Sequence, residues 1–170
     1  MKTTFKILAV LVAIVGFSAA SYAQSATATA SATIITPLTI SRVDHMNFGN
    51  VAVSATQGGT LQLAPNGTRT PTGGVSVSTA NSGSPTAASF NLAGNTNYSY
   101  SITLPGNSDV TVINGANSMT VTNFTSTPSG TGQLTAGSGS IQVGATLNVG
   151  AGQATGTYTS SNFTVTVAYN

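Results

Sequence analysis

Apolar and polar residues alternate along most of this chain with a period of two. The runs include Leu61-Gln62-Leu63, Val75-Ser76-Val77, Phe90-Asn91-Leu92, Tyr98 to Ile102, Val110-Thr111-Val112 and Met119 to Asn123. Ile141-Gln142-Val143, Leu147-Asn148-Val149 and Phe163 to Tyr169 continue the pattern. Alternation of this kind places one set of side chains on a buried face and the other in water, the signature of a half-buried β-strand. Thr fills many of the outward positions; it is β-branched, so it suits a strand, and its hydroxyl keeps the face wet without charge. Asn66-Gly67 and Asn114-Gly115 suit the positive-φ positions of tight turns, and Pro105-Gly106-Asn107 and Gly150-Ala151-Gly152 separate other runs. No helical period occurs downstream of residue 23. The pattern predicts an all-β, antiparallel, immunoglobulin-like β-sandwich, with a barrel as the alternative architecture.

The first 36 residues differ. Lys2 and Lys6 precede an apolar run from Ile7 to Phe17, 11 residues long, followed by Ser21-Tyr22-Ala23. A short positive region, a short apolar core and small residues before a cleavage point describe a signal peptide. Residues 1–23 are read as that leader, with cleavage between Ala23 and Gln24, and as the chain's only, transient, contact with a membrane. Eleven apolar residues are too few to span a bilayer. Residues 24–36 form an alternating extension with Ala26, Ala28, Ala30, Ala32 and Ile34 on one side and mostly Thr and Ser on the other. Pro37, which has no backbone donor for a strand ladder, breaks it. The extension has the alternation of a strand and no turn to fold it onto a partner. Residues 37–170 make up the sandwich domain.

Composition narrows the functional classes. Charged residues are 4% of the chain, against roughly 25% in an ordinary soluble domain. The formal charge of +2 resides in the leader; beyond it Arg42 and Arg69 face Asp44 and Asp109, with no Lys, Glu, Cys or Trp. Without Cys there is no thiolate, disulfide or thiolate zinc site. Two separated Asp do not make a calcium loop, two Arg do not make a nucleic-acid surface, and no phosphate loop occurs. Arg42, Asp44 and His45 form the one concentration of ionisable groups, two ligands at most for a metal; Arg42 and Asp44 would share one strand face, and the cluster reads as a surface pair or a loop clamp. No enzyme activity, catalytic residue, metal or cofactor is expected. Phe48-Gly49 reads as a core anchor followed by a turn. The Asn-x-Ser/Thr triplets at Asn66, Asn97, Asn123 and Asn162 are expected by chance in so Asn-, Ser- and Thr-rich a chain, and Asn162 also sits inside a predicted strand.

Several segments, in order, resemble a bacterial family, domain of unknown function 4402. They are Pro37 to Ile40, Asn47-Phe48-Gly49, Ala88 to Gly94, Val143 to Val149, Gly156-Thr157-Tyr158 and Phe163 to Asn170. That family looks like a relative of the pilin subunits assembled by a periplasmic chaperone and an outer-membrane usher. The resemblance implies a non-enzymatic subunit of a surface fibre, exported through the periplasm to the cell surface. Its partners would be copies of itself or related subunits, with a chaperone and usher during assembly. Ala26, Ala28, Ala30, Ala32 and Ile34 would then form a donor strand, and Phe163, Val165, Val167 and Tyr169 would line the acceptor edge of a neighbour. This chain departs from many pilins in having no disulfide and in offering mostly Ala as donor anchors. Two other readings stand beside this one. One is a monomeric secreted or surface sandwich, with Ala26 to Ile34 a tail or an ordinary first strand, that binds glycans or other extracellular ligands through polar loops and a stacking platform of Tyr98, Tyr100 and Tyr158. The other is a small outer-membrane barrel.

Overall fold

The alternating runs form antiparallel strands. The computed structural model describes residues 23–170, and residues 35–170 form one compact unit. The strands are β1 (Thr39–Asp44), β2 (Ala52–Val53), β3 (Gly59–Leu63), β4 (Arg69–Gly73), β5 (Val75–Ser76), β6 (Ala88–Ala93) and β7 (Ser99–Thr103). They continue as β8 (Val110–Asn114), β9 (Asn117–Thr127), β10 (Thr131–Gln133), β11 (Ser138–Val149), β12 (Thr159–Ser160) and β13 (Thr166–Tyr169). No helix occurs among the described residues. Residues 1–22, which make up all but the last residue of the expected signal peptide (residues 1–23), lie outside the described residues. Residues 23–34 have no regular secondary structure and are exposed.

The large sheet has the order β1-β6-β11-β9-β8-β12, with β3 and β4 added beside β11. A smaller sheet, β10-β7-β13, faces it, and β2 pairs with β5. The two main sheets end in free edges and enclose apolar side chains between them. The class is the expected all-β antiparallel sandwich, and the barrel alternative falls.

Turn chemistry sets two hairpins. Gly115, with φ of 58°, closes the two-residue loop between β8 and β9. Gly67, with φ of 83°, turns β3 into β4, where the Thr68 N–H donates to Asn66 Oδ1 at 3.0 Å. Glycine reaches positive φ without the steric cost of a Cβ.

Four local expectations are corrected. Ile141–Val143 and Leu147–Val149 are not two strands but parts of β11, 12 residues long. β11 pairs with β6 along its first half and with β3 along its second, and its register with β9 shifts between Gly144 and Thr146. Gly144 has no side chain because one there would meet the Leu63 carbonyl. Of the run from Phe163 to Tyr169, only residues 166–169 join a sheet, by pairing with β7; Phe163 to Val165 have the alternation of a strand but no strand assignment. Asn162, read as part of a strand, also lies outside one. Arg42 and Asp44 do not share a regular strand face, because the β1–β6 register shifts between them.

The core falls into two clusters. One contains Ala88, Leu92, Tyr100, Leu134, Ile141, Val143 and Val165, between the large and small sheets. Leu38, Ile40, Val167 and Tyr169 pack against it. Burial pushes the Tyr100 phenol above its ordinary pKa, because the phenolate would lose its hydration. The other cluster contains Leu61, Val75, Val110, Val121, Ala145, Leu147 and Val149. It lies where the small sheet has ended. Met46, Phe124 and Phe163 touch both clusters, and the Phe124 and Phe163 rings sit 5.4 Å apart.

Candidate functional site

The small sheet is three strands of at most five residues, while β9 and β11 run for 11 and 12. The far ends of the long strands therefore project an apolar face beyond the sheet that should cover it. Val110 and Val112 from β8, Met119 and Val121 from β9, and Leu147 and Val149 from β11 form this face. Two segments border it, each irregular except for one two-residue strand, β2 and β12. One is residues 45–53, which follow β1; the other runs from Gln153 to Phe163 and leads to β13. Between floor and borders lies a cavity of about 980 Å³. Val112, Met119, Val51, Val53 and Phe163 are only half-buried around it.

Polar side chains hold both borders. On the first, Asn47 exchanges backbone hydrogen bonds with Thr86, and its Nδ2 donates to the Gly83 and Ser84 carbonyls at 3.2 Å. On the second, Tyr158 Oη donates to the Ala154 carbonyl at 2.8 Å and accepts from Gln153 Nε2 at 3.0 Å. Gln153 Nε2 also reaches the Ser118 carbonyl, and Asn114 Nδ2 reaches the Thr155 carbonyl. Among the described residues the one strand of this border is β12, which pairs two residues with β8. Residues 162–164 belong to no strand and enter no loop backbone hydrogen bond among the described residues. Backbone donors and acceptors need partners, so this border, exposed at Asn162 and Thr164, presents an edge to water or to another chain.

The residues singled out in the sequence are distributed as follows. Phe163 lines the cavity, while Val165 is buried in the closed cluster and Val167 and Tyr169 pack against it. All four are less exposed than their immediate neighbours. Ala26, Ala28, Ala30, Ala32 and Ile34 lie in the exposed segment without secondary structure. Tyr169 Oη donates to the Thr36 carbonyl at 2.9 Å and accepts from the Asn95 N–H at 2.6 Å. Phe48 packs on the open cluster and Gly49 turns with φ of 72°, as an anchor and a turn. The proposed tyrosine platform does not form, because Tyr100 is 1% exposed. Asp44 accepts from Ser89 Oγ at 2.6 Å, and no group of three metal-ligating side chains occurs among the described residues. Pattern reading passed over Arg69. Its partners are carbonyls from distant loops, so no motif around it signals its role.

The fold and the cavity together define a β-sandwich with a half-covered interior. The chain belongs to the family described as domain of unknown function (DUF4402), whose model matches residues 38–169. No curated protein and no solved structure matches the chain.

Proposed function

We propose that this protein is a structural subunit of a surface fibre, joined to its neighbours by strand addition. The supporting observation is the apolar groove between residues 45–53 and Gln153–Phe163, beside an unpaired backbone edge. A strand laid there would cover the floor formed by Val112, Met119 and Val149 and would find main-chain partners along the border that leads into β13. Main-chain bonds supply the pairing in such an addition, and alternate side chains fill the groove.

The donor in this reading is residues 26–34 of a second copy. Full burial of a large apolar side chain stabilises by roughly 1.5–3 kcal/mol, and of Ala by much less. A donor of four Ala and Ile34 therefore relies on its main chain, with Ile34 as the principal anchor. Export through the leader and assembly with a periplasmic chaperone and an outer-membrane usher complete the reading. The near absence of charge agrees with it, since charged edge residues are a common guard against strand pairing. Deleting residues 24–35 is expected to abolish polymers on the cell surface, viewed by electron microscopy. Unchanged fibres would overturn the proposal.

A further inference from the structure

Arg69 opens β4 and is half-buried, yet among the described residues no carboxylate meets its guanidinium. It donates instead to four backbone carbonyls. Nη1 reaches Phe48 O at 3.1 Å, Asn50 O at 3.2 Å and Ser82 O at 3.4 Å, and Nη2 reaches Ser78 O at 3.3 Å. Phe48 and Asn50 belong to the first border of the groove. Ser82 O also accepts from the Asn50 N–H at 2.8 Å, so the two loops meet at the guanidinium. Gly49 lies in the middle of this junction. A Cβ there would collide with the Ser82 carbonyl and stand 2.9 Å from Arg69 Nη1, at a φ of 72° that disfavours any side chain. β4 pairs with β3, and β3 with the part of β11 that carries Leu147 and Val149. The guanidinium thus links the part of the border that precedes the two-residue β2 to the sheet that forms the groove floor.

We propose that Arg69 is a positioning residue for strand acceptance: it fixes the border at residues 46–53 so that the groove stands open before a donor arrives. This rests on the strand-addition reading above. A border fixed in advance loses less freedom on binding, which is how preorganisation raises affinity. A planar fork of five donors can serve several carbonyls at once, and an ammonium on a flexible stem cannot hold the same geometry.

The test compares the wild-type full chain with R69A and R69K. Hydrogen exchange read by mass spectrometry reports the border, and a synthetic peptide of residues 24–36 reports acceptance. R69A is expected to speed exchange at least about tenfold over 46–53 and 78–84, by loss of the loop-locking bonds. Protection in β6 and in the first half of β11 is expected to stay unchanged. Peptide affinity is expected to fall at least about tenfold, the size of a lost preorganising contact, with R69K recovering only part. Unchanged exchange in the border would overturn the inference, and so would loosened exchange with undiminished peptide affinity. Uniform loss of protection throughout the sandwich would also overturn it, since that marks a merely structural residue. A wild-type chain that ignores the peptide would refute strand addition by these residues, while the exchange comparison would still decide whether Arg69 fixes the border.

Discussion

The two ends of this sandwich have similar apolar inventories and different covers. At the closed end, Leu92, Leu134, Ile141 and Val143 lie between two hydrogen-bonded sheets and are almost wholly excluded from water. At the other end, Val110, Val121, Leu147 and Val149 are as well buried, but Val112, Met119 and Phe163 beside them are not. Irregular segments held by Asn47, Arg69, Gln153 and Tyr158 replace the second sheet there. Paired strands satisfy their backbone groups along a whole row, whereas loops do so bond by bond. A cover made of loops can therefore leave a gap that a cover made of strands would close.

The largest expected effect separates the two ends directly. Leu134→Ala and Ile141→Ala should each cost about 2–5 kcal/mol in chemical denaturation, because each leaves a cavity in a packed interior. Met119→Ala in the groove floor should cost less than about 2 kcal/mol, since its side chain is already partly in water. Equal losses at both ends would erase the distinction. Next comes occupation of the groove. The peptide of residues 24–36 at one hundred times its dissociation constant should raise stability by about 2.7 kcal/mol. Ala28→Asp in that peptide should remove the gain, measured by the shift in the unfolding midpoint.

Tyr169→Phe should cost about 1–3 kcal/mol, because the hydroxyl serves both the Thr36 carbonyl and the Asn95 N–H. Its effect belongs to the closed end, against which Tyr169 packs. Alkaline pH should also act on the closed end through Tyr100, whose pKa is raised by burial. The folded state holds that proton more tightly, so its contribution is complete below the ordinary pKa of 10.0 and is lost as pH rises above it. Tyr100→Phe should flatten this alkaline decline in stability. The smallest effect is expected for Arg42→Ala, within about 0.5 kcal/mol, because Arg42 is exposed at the β1 bulge.

Local chemistry made much of this fold legible. The period-two runs mark β3, β6, β7, β8 and β9, and Asn66-Gly67 and Asn114-Gly115 mark two turns. Pro37 separates the residues before it from β1, which begins at Thr39. The alternation from Phe163 to Tyr169 persists in the burial, where Phe163, Val165, Val167 and Tyr169 are less exposed than Thr164, Thr166 and Ala168 between them. It could not reveal that only residues 166–169 find a partner, because pairing depends on how far β7 extends. Nor could it show that β11 crosses Gly144 without stopping, since a glycine between two runs reads as a turn until the neighbouring backbone is seen to need the space.

The sequence by itself determined an all-β, nearly uncharged chain with an alternating extension at its start, because strand period, turn residues and side-chain chemistry are local properties. Tertiary structure alone decided that one end of the interior would be closed and the other left as a groove. That outcome depends on the unequal lengths of two facing sheets. It also depends on an arginine that reaches carbonyls nine to twenty-one residues away. Both are relations between segments distant in the chain, and no short stretch of residues encodes them.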